Sequence, residues 1–96
     1  MPERKPGPKG TTKVTFSLPK EVDAESVTLC GDFNDWNTTS HPLRHYKDGH
    51  FALSVNLPGG EYRYRFLLDG ARWENDWEAD DYVANEFGGE DSVLRV

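Results

Sequence analysis

The stretch EYRYRFLLDG, residues 61–70, decides the fold class. Large apolar side chains occupy every second position, and a second set that includes two arginines occupies the positions between. The first set is Tyr62, Tyr64, Phe66 and Leu68, and the second is Arg63, Arg65 and Leu67. This period of two predicts a β-strand with one buried face. The Asp-Gly pair at residues 69–70 predicts a tight turn, because both residues tolerate positive φ.

Similar short runs lie on both sides of this strand. The further predicted strands are Lys13–Leu18, Val27–Cys30, His50–Leu57, Arg72–Trp73, Tyr82–Ala84 and Ser92–Val96. Turn signals such as Pro58-Gly59-Gly60 and Gly88-Gly89 separate them, and no helical period appears. Six or seven short strands with frequent turns predict an all-β fold, an antiparallel β-sandwich.

The length of 96 residues leaves room for a single core. We expect residues 13–96 to form the sandwich. Residues 1–12 are rich in Pro and Gly and carry three basic residues against one acidic, so we expect a flexible tail there.

Charge narrows the classes of ligand. The chain carries −6 and residues 1–12 carry +2, so residues 13–96 carry −8. Such a surface repels phosphate backbones and anionic lipid heads, which argues against nucleic acid and membrane partners. A neutral ligand is unaffected by this charge.

Location follows from apolar content and cysteine count. The sequence contains neither an apolar run long enough to span a membrane nor the apolar stretch of a signal peptide. Cys30 is the only cysteine, so no intramolecular disulfide is possible. The simplest expectation is a cytoplasmic protein.

Catalytic and metal-binding patterns are weak. The three histidines, at positions 41, 45 and 50, lie in or beside a polar segment, and Cys30 lies among apolar strand residues, where an inert thiol is expected. The acidic run at residues 74–81 lacks the spacing and central Gly of an EF-hand, so we expect a solvated loop. We expect no enzyme activity, metal or cofactor.

The tryptophans carry the strongest functional signal. Trp36 follows a polar turn and Trp73 follows the turn at residues 69–70, whereas Trp77 lies in the acidic loop. A flat ring beside hydrogen-bonding side chains suits a sugar, whose C–H face packs on an indole. The residues alone leave core and binding roles equally open for Trp36 and Trp73, and favour a structural role for Trp77.

A series of motifs resembles one known family. The motifs are GDFNDW (31–36), LPGGEYRYRF (57–66), LDG (68–70), Trp73, Asp76 and FGGEDSV (87–93). In order and near spacing, they are similar to the glycogen-binding domains of carbohydrate-binding module family 48. These domains occur in glycogen branching and debranching enzymes and in the β subunit of AMP-activated protein kinase. The resemblance covers residues 13–96.

The resemblance implies an immunoglobulin-like, early-set sandwich that binds α-1,4-linked glucan, such as glycogen or a maltooligosaccharide, on one face. By position, Trp36 and Trp73 match the two stacking tryptophans, and Arg65 stands where a Lys contacts sugar hydroxyls. Phe87 replaces a Leu over which a glucose packs, and Asp91 replaces an Asn that contacts hydroxyls. A further departure is a Gly at position 89, where the kinase subunit has a contacting Thr.

Two other functions remain open. The sandwich is also suited to being a protein–protein interaction or regulatory module, which would bring a glucan-processing enzyme or a kinase to its target. It is also suited to being the N-terminal domain of a branching or debranching enzyme. An interaction-only domain has no need of exposed rings on one face, so the placement of Trp36 and Trp73 discriminates between these functions.

Overall fold

The computed structural model describes residues 2–86 and 88–96, and they form two packed antiparallel sheets. The strands are β1 (Glu3–Pro6), β2 (Thr12–Leu18), β3 (Val27–Gly31), β4 (Arg44–His45), β5 (Phe51–Leu57), β6 (Glu61–Leu68), β7 (Arg72–Glu74), β8 (Asp81–Ala84) and β9 (Glu90–Arg95). The predicted all-β sandwich is confirmed.

The two sheets divide the chain between them. The first has the order β1-β2-β5-β4, and the second has the order β3-β6-β9-β8, with β7 also paired to β6. Helical structure in the described residues is limited to three short 3₁₀ turns, Pro8–Gly10, Lys20–Val22 and Asp32–Asn34. No helix in this part of the chain has the length and apolar character needed to cross a membrane.

Alternating side chains build the core between the sheets. β2 and β5 pair so that Val14 faces Val55 and Phe16 faces Leu53. From the second sheet, the apolar set of β6 points inward, and Tyr64, Phe66 and Leu68 are at most 1% exposed. The period of two in residues 61–68 therefore predicts the buried face of β6 correctly. It also places Arg63 and Arg65 on the outer face, where the site lies.

The beginning of the chain differs from the expected flexible tail. β1 pairs with β2 in register, with Arg4 opposite Val14, and Arg4 forms an ion pair with Asp80, which directly precedes β8 of the second sheet. Its guanidinium also donates to the carbonyl of Arg95 at 3.1 Å. Composition misses this strand because Glu3–Pro6 consists of charged residues and a proline, with no alternation in hydropathy, and its stabilising contacts come from distant residues.

Candidate functional site

The 3₁₀ turn Asp32–Asn34 and the residues around it present Trp36. Phe33 anchors the turn on the core, with its ring centroid 6.0 Å from those of Phe16 and Tyr62. Asn34 fastens it to β3, because its Oδ1 accepts the Gly31 N–H and its Nδ2 donates to the Leu29 carbonyl, both at 3.0 Å.

Gly31, at the start of this turn, leaves no room for a larger side chain. A Cβ at this position would lie 2.6 Å from the Arg63 carbonyl oxygen and 2.8 Å from Tyr64 Cβ. The close approach of β3 and β6 brings the turn against the outer face of β6. It therefore sets where Trp36 stands.

Trp36 is held in an unusual backbone conformation. Its φ is 57° and that of Asp35 is 54°, in the left-handed region that bulky residues rarely adopt. Its N–H donates to the Gly31 carbonyl at 2.9 Å. Residues held in this region are concentrated at functional sites, where surrounding contacts offset a cost of about 1–3 kcal/mol. The contacts of the turn thus orient the indole.

Asp32 fixes the indole itself. One carboxylate oxygen accepts the Trp36 Nε1–H at 3.1 Å, and the other accepts the backbone N–H of Arg63 at 2.9 Å. The ring is consequently tied at its polar edge and left half-buried, with no polar atom unsatisfied. A spacing of four residues between the Asp and the Trp is the signal in the sequence that could have revealed this role.

Trp73 lies beside Trp36 on the outer face of the second sheet. The ring centroids are 6.5 Å apart with an interplanar angle of 62°, and Trp73 is 42% exposed. The Arg65 guanidinium carbon is 5.1 Å from the Trp73 ring centroid, within cation–π range. We call Trp36, Trp73 and Arg65 the platform.

Asp91 holds Arg65 from the neighbouring strand β9. Arg65 Nε lies 3.3 Å from Asp91 Oδ1, and Arg63 Nη1 lies 4.0 Å from Asp91 Oδ2. The Arg65 contact is an ion pair without hydrogen-bond alignment, since Nε is buried and has no hydrogen-bond partner. Asn85 Nδ2 donates to the same carboxylate at 3.2 Å. Asp91 is only 6% exposed, so its carboxylate is enclosed beside these groups.

A groove of about 450 Å³ continues from the platform. It is lined by Asp32, Trp36, Arg63, Arg65, Asn85, Glu86 and Asp91. Four of these were not singled out from the sequence, namely Asp32, Arg63, Asn85 and Glu86. Arg63 was detectable because it shares a strand face with Arg65. Asn85 and Glu86 lie close in sequence to Phe87, which is outside the described residues.

The remaining sequence expectations concern cysteine, metal and Trp77. Cys30 is buried, burial raises the pKa of its thiol, and its Sγ–H donates to the Asn37 carbonyl at 3.3 Å, as expected of an unreactive cysteine. Within residues 2–86 and 88–96, no three or more His, Cys, Asp or Glu side chains are grouped to hold a metal ion. The structural role predicted for Trp77 fits its bonded N–H but not its ring, which is 54% exposed.

Comparison with known proteins identifies the family. Residues 12–96 match the family described as the glycogen recognition site of AMP-activated protein kinase. The chain belongs to this family. The resemblance found in the motifs is confirmed.

Individual relatives agree with this membership. The chain is 31% identical over 72 residues, 75% of its length, to 5'-AMP-activated protein kinase subunit beta-1 of Sus scrofa, and 29% identical over the same length to subunit beta-2 of Homo sapiens. It is 35% identical over 60 residues, 62% of its length, to the 1,4-alpha-glucan branching enzyme GlgB of Deinococcus radiodurans. The matches span 55%, 25% and 8% of these relatives respectively.

Proposed function

We propose that this chain binds α-1,4-linked glucan reversibly on the platform and performs no covalent chemistry. The observation that carries the proposal is the pair of indoles on one sheet face, 6.5 Å apart, with Arg65 beside them. Trp73 is exposed and Trp36 is half-buried. Membership of a family described by glycogen recognition supports the same ligand. A docking module without a sugar ligand would not require this arrangement.

The platform residues have distinct roles in this proposal. Trp36 and Trp73 stack on the C–H faces of glucose units. Covering roughly 80–100 Å² of each ring contributes on the order of 2 kcal/mol. Arg65 donates hydrogen bonds to hydroxyls, and Asp91 acts through Arg65 by fixing its guanidinium. Phe87 remains a proposed apolar contact on the strength of the family pattern.

Two of the three carboxylates that line the groove, Asp32 and Asp91, support a non-catalytic role. Glycoside hydrolysis uses one carboxyl group as acid and a second as base or nucleophile, flanking the scissile bond. Asp32 is engaged by Trp36 and by the Arg63 backbone, and Asp91 is engaged by Arg65. Both groups therefore serve to hold binding residues in place.

The proposal also covers the protein partners of this module and its location in the cell. The matched relatives are subunits of a kinase and a glucan branching enzyme, and the chain spans only part of each. We propose that the module brings such a kinase or glucan-processing enzyme to its polymer. The unpaired thiol of Cys30 is consistent with a reducing, cytoplasmic setting.

Calorimetric titration with maltoheptaose tests the binding. The wild type is expected to bind with a Kd in the micromolar to millimolar range. Trp36→Ala and Trp73→Ala are each expected to weaken binding roughly 30-fold, the equivalent of about 2 kcal/mol. Tyr46→Ala is the matched control, because Tyr46 is also an exposed aromatic, 40% exposed, but follows β4 of the other sheet.

Two results would contradict the proposal. One is a folded wild type that releases no heat with maltoheptaose or glycogen, which would make docking of a protein partner the leading function. The other is binding that Tyr46→Ala weakens as much as the platform variants do, which would move the site away from the second sheet.

A further inference from the structure

Trp77 is the most exposed large hydrophobic residue in the described part of the chain. Its exposed fraction is 54%, above the 42% of Trp73. It lies in the loop between β7 and β8, at residues 75–80. The platform leaves this ring unused, so its exposure needs a separate explanation.

The Trp77 indole is held in the same way as that of Trp36. Its Nε1–H donates to Glu74 Oε1 at 3.4 Å, from a carboxylate three residues earlier. The Trp36 Nε1–H likewise donates to a carboxylate, Asp32 Oδ1, four residues earlier and 3.1 Å away. Both indoles have their polar edge bonded within the protein, and part of each ring is open to solvent. This is the arrangement that stacking on a sugar requires.

The loop beneath Trp77 is firmly tied to the core. The Asp76 side chain is buried and accepts the Tyr64 hydroxyl at 2.6 Å, and its backbone carbonyl accepts the Tyr82 hydroxyl at 2.5 Å. Its N–H donates to Ser92 Oγ at 2.9 Å. Burial raises the pKa of Tyr64, and the Asp76 carboxylate adds to that rise, so the hydroxyl stays protonated and keeps donating. Little ordering cost would attend ligand binding to a ring that is already held in position.

The chemistry around the ring points to a neutral, hydroxyl-rich ligand. A hollow of about 100 Å³ beside Trp77 is lined by Ser17, Leu18, Pro19, Asp76 and Glu78. None of these described lining residues is cationic, so nothing here recognises a phosphate or a carboxylate. Ser17 offers a hydroxyl for hydrogen bonding to a sugar, beside the apolar ring.

We propose that Trp77 forms a second α-glucan contact site, which rests on the glucan function proposed above. The site is distinct from the platform, because Trp73 contacts Trp36 and Arg65 on the outer face of the second sheet, whereas Trp77 meets the end of β2 in the first sheet. A branched polymer can then engage one molecule twice, and the second contact adds avidity without any new platform contact.

Nuclear magnetic resonance of the three indole N–H signals tests the second site directly. Single Trp→Phe variants assign the signals, and maltoheptaose is added to about 20 mM, which saturates sites of millimolar Kd. All three signals are expected to shift in the wild type. The Trp77 signal is expected to shift also in the Trp36→Ala/Trp73→Ala double variant, whose folding the dispersion of its amide signals reports.

The outcomes separate the two proposals. A Trp77 signal that stays fixed in the folded double variant, while those of Trp36 and Trp73 move in the wild type, overturns the second site and leaves the platform intact. Fixed Trp36 and Trp73 signals in the wild type overturn the platform, whatever Trp77 does.

Glycogen provides an independent readout of the second site. Trp77→Ala is expected to weaken apparent glycogen affinity about threefold or more, while Trp77→Phe, which keeps an aromatic face, loses less. Glycogen affinity unchanged in Trp77→Ala would count against the site. The ring is exposed, so neither substitution disturbs the core.

Discussion

Asp91 and Arg65 form an ion pair between neighbouring strands, with Oδ1 and Nε 3.3 Å apart, and the same guanidinium lies 5.1 Å from the Trp73 ring centroid. The carboxylate comes from β9 and the cation from β6, so the pair connects the strand pairing of the sheet to the platform. Removing Asp91 would leave a largely buried Arg65 Nε without its counter-charge. The position matched to a sugar contact is thus better suited to holding Arg65.

The first prediction separates these two roles for Asp91. Asp91→Ala is expected to weaken maltoheptaose binding by about 1–2 kcal/mol, which raises Kd roughly tenfold, because Arg65 loses its position. In an Arg65→Ala background, the same substitution is expected to change Kd little, since the residue through which it acts is gone. Calorimetry on the four proteins of this double-mutant cycle measures the coupling. Additive losses would show that Asp91 contacts the sugar by itself.

A second prediction concerns Asp32. Asp32→Ala removes the acceptor of the Trp36 indole N–H and of the Arg63 backbone N–H. Binding is expected to weaken by about 1 kcal/mol, roughly fivefold in Kd, because the indole is no longer fixed. Calorimetry with maltoheptaose measures the loss, and Glu21→Ala, which removes an exposed carboxylate from the turn Lys20–Val22, is the control. Equal affinities for the two variants would contradict the role assigned to Asp32.

The sequence reveals those parts of the fold that follow from local alternation. Residues 61–68 alternate strictly, so the burial of Tyr64 and the outward placement of Arg65 could both be predicted. β1 and β4 could not, because β1 shows no alternation in hydropathy and β4 has two residues. Their pairing depends on strands that lie far away in the sequence.

The candidate site also has some features that the local sequence predicts and others that depend on distant residues. Trp36 and Trp73 are recognisable from their turn-rich surroundings and from the family motifs. The ion pair that engages Asp91 is not, because it depends on the register between β6 and β9, which places Asp91 near Arg65 and Arg63. Exposure of Trp77 was also unpredictable, since an acidic loop can fold its aromatic residue inward or outward with the same local pattern.

A third prediction uses two glycines as a matched pair. Gly31→Ala is expected to destabilise the fold by about 1–3 kcal/mol, because its Cβ would lie 2.6 Å from the Arg63 carbonyl oxygen and force β3 away from β6. At Gly59 the nearest atom is the Val96 carbonyl oxygen at 3.6 Å, an ordinary contact, so Gly59→Ala should change stability little. Urea denaturation of both variants measures the difference. Equal midpoints would show that β3 and β6 are less closely packed than this geometry requires.

The last prediction concerns acid stability and Asp69, in the turn between β6 and β7. The backbone N–H groups of Ser26 and Glu25 donate to its carboxylate at 3.0 and 2.8 Å, and these bonds hold the pKa of Asp69 below its ordinary value, with Ser26 the larger cause. Because the pKa is lowered in the folded state, the stabilisation is complete above the unfolded value of about 3.9 and is lost as pH falls through the lower folded value. Asp69→Asn cannot lose a charge, so its urea midpoint is expected to fall less steeply than that of the wild type between about pH 4 and pH 2. Glu21→Gln provides the control for removing one exposed carboxylate. If Asp69→Asn and wild type give parallel curves, the bonds from Ser26 and Glu25 do not favour the ionised form, and the loop before β3 is fastened by other contacts.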